Sequence, residues 1–201
     1  MDGTLVDSEK HYMIGTRRWL NDISIEISDE NLHKIIGMTN DQACDYLSKI
    51  TNLNIEEVDK LNAHYFNEID KINYSNYLYD DVEDVLRKLK DKKIKSVICT
   101  GSERILIDRF IKNCGFDDLF ELTLTSENYK PKPSPDIYLK AMEILHIKKE
   151  ECIIVEDSSQ GIKAAKAAGT YVYARDASRY NIDQSEADKI IEDLHEILED
   201  I

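Results

Sequence analysis

Four short segments carry residue types that could act together on an anion. Asp2-Gly3-Thr4 offers a carboxylate in a turn-prone pair. Thr100, Gly101 and Ser102 close the apolar run Ile94-Lys95-Ser96-Val97-Ile98-Cys99. A hydroxyl with backbone N–H groups at the start of a helix makes an anion site. In Lys132-Pro133-Ser134-Pro135-Asp136-Ile137-Tyr138, Lys132 supplies the compact positive charge that suits phosphate. The fourth segment, Cys152-Ile153-Ile154-Val155, ends in Glu156-Asp157-Ser158-Ser159-Gln160-Gly161-Ile162. Adjacent carboxylates at the end of a strand are costly without a cation, so Glu156 and Asp157 suit Mg²⁺. The same place suits a helix N-cap at Asp157 or Ser158, and both readings can hold at once.

In this order, the segments resemble the signature of the haloacid dehalogenase superfamily, most closely its β-phosphoglucomutase-like branch. Met1-Asp2-Gly3-Thr4-Leu5-Val6-Asp7-Ser8-Glu9 is similar to D-x-D-G-T-L-x-D-S-E, with Met1 at the "x". The resemblance spans essentially the whole chain. It implies a nucleophilic Asp one residue ahead of Met1 and outside this sequence, with Asp2 as the general acid/base. Two residues of one strand at i and i+2 point the same way, which suits that pairing. It further implies that Thr100, Gly101, Ser102 and Lys132 bind the transferring phosphoryl group. The spacing of K-P-x-P-D selects Lys132 over Lys130. Mg²⁺ would be held by Glu156, Asp157 and the backbone carbonyl of Asp2.

The expected activity is a Mg²⁺-dependent phosphatase that passes through an aspartyl-phosphate on a small phosphorylated metabolite. A β-phosphoglucomutase-like mutase is the alternative. Two departures weigh against it: Tyr12 stands where the mutases carry His, with His11 one place early, and Gly37-Met38-Thr39-Asn40 lacks their Arg. A catalytically dead module that binds phosphorylated ligands is a third reading. A two-component receiver domain also groups Asp, Thr and Lys, but the order of the motifs and the large helical insert exclude it. Asp80-Asp81 replaces the family's usual Pro-Gly.

These segments need a scaffold. From Ser8 to about Tyr74 apolar residues recur at three- and four-residue steps, which predicts four or five helices. After Tyr79 short Ile/Val runs alternate with helical patterns, which predicts a parallel sheet covered on both faces. Strands are expected at 95–99, 122–125, 152–156, 171–173 and 188–191, and a last helix through Leu198. The fold class is therefore α/β: a Rossmann-like parallel core, residues 1–8 and 77–201, lacking its first strand, with a helical-bundle cap over 9–76. Burying about five apolar residues of such a strand contributes roughly 10 kcal/mol, against about 5–15 kcal/mol for a whole domain. The chain starting at Met1 is therefore expected to be inactive and poorly stable, with Met1 an internal methionine of a longer protein.

Composition narrows the partners. The chain has 201 residues, 42% of them hydrophobic, and a formal net charge of −14. That surface repels nucleic acid and anionic membranes. It would also repel a phosphorylated substrate unless a metal and local lysines reverse the field. No apolar run is long enough to span a membrane, so a cytoplasmic monomer is expected. Cys44, Cys99, Cys114 and Cys152 form no C-x-x-C pair and are expected as reduced core thiols.

Overall fold

The computed structural model describes residues 1–36, 38, 40–69 and 71–201, with Glu68, Ile69 and Asn128 described by their backbone only. The chain divides into two compact units, Ser8–Ile72 and the pair of segments Met1–Asp7 and Asn73–Ile201. Among the described residues no helix is long and apolar enough to cross a membrane.

The first unit is helical throughout: α1 (Ser8–Asp22), α2 (Asp29–Lys34), α3 (Asn40–Thr51) and α4 (Ile55–His64), closed by a π-helical turn at Tyr65–Ile69. Polar caps set where the helices begin. Ser28 accepts from the Asn31 N–H, and Asn54 with Glu57 forms a reciprocal capping box. Trp19, Leu20, Cys44, Leu47, Val58 and Tyr65 meet on the inner faces as one core.

The second unit alternates α5 (Val82–Asp91), β1 (Val97–Thr100), α6 (Arg104–Cys114), β2 (Leu122–Thr125), α7 (Asp136–Leu145), β3 (Ile153–Glu156), α8 (Ser159–Ala168), β4 (Tyr171–Arg175) and β5 (Lys189–Ile191). All pairings between these strands are parallel, in keeping with the α/β expectation. Helix α8 buries Ala164, Ala165 and Ala168 against Val172 and Ala174 of β4 in one core cluster, small residues that let a helix approach a sheet closely.

The strands form two sheets, β1-β2 and β3-β4-β5. Between β1 and β3 lies a cavity of about 470 Å³. Val97, Ile98 and Cys99 line one side, and Ile153, Ile154 and Val155 the other. The core is thus a parallel sheet interrupted between β1 and β3.

Two local features differ from the sequence reading or go beyond it. The last helix, expected through Leu198, is a 3₁₀ segment, Leu194–Glu199. Its buried residues, Leu194 and Ile197, are three apart, and 3₁₀ geometry stacks i and i+3 on one face. Asp81 also gains a physical role. Both its carboxylate oxygens accept from Arg175 Nη2, at 2.9 and 2.8 Å, and Oδ2 accepts from the Leu194 N–H at 2.6 Å. Arg175 Nη1 donates to the Thr4 carbonyl at 3.1 Å, and its guanidinium lies 3.9 Å from the centroid of the Tyr79 ring. This buried pair ties the end of β4 to the start of α5, to the first segment and to the C-terminal 3₁₀ segment. Removing one member strands the other charge, so Asp81→Ala should lower stability by about 3–5 kcal/mol. Urea unfolding measures this, and a loss below about 1 kcal/mol would show that the pair is not holding these elements.

Candidate active site

The expected site residues converge at the C-terminal ends of β1 and β3, where open α/β sheets place their ligands. Three hydrogen-bonded groupings build the site. In the first, Thr100 ends β1 and accepts from the Ser102 N–H at 3.2 Å, and its hydroxyl donates to Ser102 Oγ at 3.2 Å. Ser102 in turn donates to Asp2 Oδ2 at 2.7 Å. Gly101 lies between them, exposed. The N-terminus of α6 is not the open anion site expected, because the Glu127 carboxylate accepts from the Arg104 N–H at 3.0 Å. The Thr100 and Ser102 hydroxyls are bonded to one another and, through Ser102, to Asp2.

The second grouping centres on Glu156, the buried last residue of β3. Its Oε1 pairs with Lys132 and accepts from the Tyr138 hydroxyl. Lys132 Nζ also donates to the Cys99 carbonyl at 3.3 Å and lies 5.1 Å from the Tyr138 ring centroid. Glu156 Oε2 accepts from the Asp157 N–H and from Ser158, both at 3.3 Å. A Cβ on Gly161 would sit 1.9 Å from that oxygen, so the turn into α8 admits no side chain there. Burial alone would raise the Glu156 pKa. The charge of Lys132 and the hydrogen bonds from Lys132 and Tyr138 outweigh it and hold the carboxyl well below the usual range.

The third grouping is Asp157 against the Asp2-Gly3-Thr4 turn. Thr4 Oγ1 donates to Asp157 Oδ1 at 3.1 Å. Gly3 has φ +69°, and a Cβ there would meet Asp157 Oδ2 at 1.9 Å, so glycine is required on both counts. Ser158, not Asp157, caps α8 by accepting from the Gly161 N–H at 3.0 Å. Burial pushes the Asp157 carboxyl up, and the neighbouring Glu156 charge pushes further. The α-ammonium of Met1, the Thr4 bond and Lys132 offset this only in part, leaving it at about 7.

Asp2, Glu156 and Asp157 were expected to share a metal. Among the described residues, no group of three or more His, Cys, Asp or Glu side chains is placed to hold an ion. Asp2 was expected to contribute its main-chain carbonyl, which a side-chain grouping does not include, and Lys132 and Tyr138 engage Glu156 at Oε1. Two observations still fit a hard cation. Asp2 Oδ1 is buried without a hydrogen-bond partner, and Asp157 is a buried carboxylate whose ionisation is penalised. The available donors are all oxygens, the set Mg²⁺ prefers.

Sequence reasoning missed three participants. Tyr138 was visible only as the last residue of its motif, and nothing signalled its bond to Glu156. Thr4 and Glu127 gave no sign of their partners. Asp7, from the opening motif, serves as an anchor in the second unit: it accepts from the Tyr180 hydroxyl at 2.6 Å and pairs with Arg179 at 3.2 Å. Burial pushes the Cys44, Cys99 and Cys114 thiols up to about 11, which keeps them protonated at neutral pH.

Two outcomes follow from the electrostatics. Lys132→Ala leaves Glu156 buried and uncompensated, and should cost about 3–5 kcal/mol in urea unfolding; an unchanged midpoint would show that the pair is not needed. For Asp157 the folded pKa lies above the unfolded one. Its contribution is fully present below about pH 4 and is lost as pH rises through about 7. Without added metal, stability should fall between about pH 4 and pH 8 more steeply in the parent than in Asp157→Asn. Parallel pH profiles for the two would contradict this assignment.

Comparison with known proteins places this geometry. Residues 1–174 match the family model of the haloacid dehalogenase-like hydrolases. A phosphoglycolate phosphatase from Colwellia psychrerythraea is 30% identical over 198 residues, covering 90% of this chain and 87% of that protein. A phosphorylated carbohydrates phosphatase from Thermotoga maritima is 25% identical over 173 residues, covering 84% and 79%. The crystal structure of β-phosphoglucomutase from Clostridium difficile superposes with a TM-score of 0.70 at 21% identity, covering 98% of this chain and 92% of that one, a likeness of fold. The chain belongs to the haloacid dehalogenase-like hydrolase family.

Proposed function

We propose that this haloacid dehalogenase-like hydrolase is a Mg²⁺-dependent phosphatase for a small phosphorylated metabolite, acting through an aspartyl-phosphate. The observation that carries the reading is the convergence of Asp2, Thr100, Lys132, Glu156 and Asp157 on the strand ends that flank the cavity between β1 and β3. Thr100 and Ser102 present hydroxyls to a phosphoryl group. Lys132, anchored on Glu156 and on the Cys99 carbonyl, offers its remaining N–H to a phosphoryl oxygen. Asp2, with one oxygen unpartnered, is placed to hand a proton to the leaving oxygen and later to take one from water.

The nucleophilic carboxylate belongs, in this reading, to a strand filling the cavity, one residue ahead of Met1. Asp157, the main-chain carbonyl of Asp2 and Glu156 Oε2 would hold Mg²⁺; of the Glu156 oxygens, Oε2 is the one held only by two 3.3 Å bonds. Bound Mg²⁺ would supply charge neutralisation at the phosphoryl oxygens.

The unit Ser8–Ile72 is proposed as the cap that selects the substrate, through Tyr12 and the loop 37–40. Gly37 and Thr39 of that loop lie outside the described residues. With Tyr12 and Asn40 in place of the mutase His and Arg, water is the final phosphoryl acceptor. The relatives named for phosphoglycolate and for phosphorylated carbohydrates support small phosphorylated acids and sugars as the class to test.

Extending the chain ahead of Met1 by an apolar strand that ends in Asp should give Mg²⁺-dependent release of inorganic phosphate, while the 201-residue chain gives none above background. Turnover by the unextended chain would overturn the nucleophile assignment. In the extended protein Asp157→Asn should sharply raise the Mg²⁺ concentration needed, and an unchanged requirement would count against Asp157 as a ligand. Interconversion of β-glucose 1-phosphate and glucose 6-phosphate much faster than phosphate release would favour the mutase.

A further inference from the structure

We propose that His195 is a proton-operated latch: as an imidazolium it fastens the 3₁₀ segment Leu194–Glu199 to α5, and on losing its proton it lets that segment loosen. Neither His195 nor the carboxylates it touches belong to the proposed phosphoryl-transfer site.

The geometry asks both ring nitrogens to donate. Nδ1 lies 2.7 Å from Asp193 Oδ1, and Nε2 lies 2.6 Å from Asp84 Oδ2. An ionised carboxylate only accepts, and a neutral imidazole carries a single N–H. Loss of the proton therefore sets a nitrogen lone pair against one of the two carboxylates. The two acceptors stand on the two elements to be joined. Asp193 is the N-cap of the 3₁₀ segment, where Oδ1 also accepts from the His195 N–H at 2.7 Å. Asp84 lies in the first turn of α5.

The other charges around the ring pull both ways. Lys88 of α5 pairs with Asp84 at 2.6 Å and disfavours the imidazolium. On the segment itself, Glu196 accepts from the Glu192 and Asp193 N–H groups, at 3.0 and 3.4 Å, and pairs with Lys189 of β5 at 3.9 Å. From β4, Arg175 acts on Asp193. The bonds to Asp84 and Asp193 prevail and hold the imidazole above its usual value of about 6.5. With the folded value above the unfolded one, the latch is fully made below about pH 6.5 and is lost as pH rises through the raised value.

What the latch holds down is apolar. Leu194 and Ile197 are buried, and they line the cavity together with Val85, Leu86 and Leu89 of α5. Two further ties involve no imidazole: the Leu194 N–H donates to Asp81 Oδ2, and the Tyr173 hydroxyl donates to Asp200 Oδ2. With these in place the segment loosens locally and does not leave.

Hydrogen exchange on the 201-residue chain tests this. It is read at residues 194–199 from about pH 6 to about pH 8.5, across the titration of such a histidine, and corrected for the intrinsic rate at each pH. Strand β4 in the same samples reports global opening, including any that follows from Asp157. Exposed ion pairs are modest, so protection at 194–199 relative to β4 should fall about threefold to fivefold over this range. In His195→Gln and in Asp84→Asn the fall should vanish, leaving protection near the parent's high-pH level.

An unchanging protection in the parent, or a parent-like fall in His195→Gln, would overturn the latch. A fall lost in His195→Gln but fully kept in Asp84→Asn would overturn it as well, because His195 would then act within its own segment and not on α5.

Discussion

The structure turns on two adjacent carboxylates buried at one strand end with a single lysine between them and water. Ionising both is unfavourable, because each loses solvent and each repels the other. The chain resolves this unequally. Lys132 and Tyr138 hold Glu156 in its charged form, while Asp157 is left with the Thr4 hydroxyl and a raised pKa. Much of the surrounding sequence serves that arrangement. Gly161 and Gly3 clear space for the two carboxylates, and Ser158 takes the helix cap so that Asp157 does not have to. The residues that make the site polar are thus the same ones that close the β3–α8 turn, and a substitution there acts on folding and on chemistry together.

The site is suspended across the interruption in the sheet. Thr100 ends β1, Glu156 ends β3, and Lys132 reaches both. Asp2 is joined to the β1 side by Ser102, and Asp157 to the Asp2-Gly3-Thr4 turn by Thr4. A hydrogen-bonded ladder normally fixes the spacing of strands at about 4.7–4.9 Å. Here that spacing is set at one end by a few side-chain contacts and elsewhere by packing around the cavity. Catalytic positioning tolerates little slack, so completing the ladder would act on the site as well as on stability. Arg175 and Asp81 brace the same unit next to the site, linking the first segment at Thr4 to α5, β4 and the C-terminal 3₁₀ segment.

What the sequence disclosed divides along physical lines. The strand at Leu122–Thr125 and the Ile/Val run into Glu156 were legible because periodicity and terminal polar residues are local signals. The alternation of strand and helix carried the α/β class for the same reason. Contacts that depend on chain closure were not legible. The partners of Arg175 and Asp81 lie 94 residues apart, and those of Ser102 and Asp2 lie 100 apart. No local pattern marks such pairs. The last helix was legible as a helix but not as 3₁₀, because a spacing of three satisfies both α and 3₁₀ geometry over six residues. Helix α6 was credited with a free N-terminus because nothing near it in sequence announces that Glu127, 23 residues on, would occupy it.

Charge also orders the functional readings. Lys132 is the cation at the centre of the site, and Glu156 already neutralises it. A phosphorylated ligand approaching Asp2 and Asp157 therefore meets negative charge at close range, on a chain whose formal net charge is −14. A module that merely binds phosphorylated ligands would need surplus positive charge here, and the arrangement supplies none beyond that already paired. Three carboxylates against Lys132 and the Met1 α-ammonium leave the site short of positive charge, a deficit that a bound cation would relieve. The unpartnered oxygen of Asp2 and the raised pKa of Asp157 are two local expressions of that deficit. That balance supports the metal-dependent reading proposed above over a simple anion-binding one.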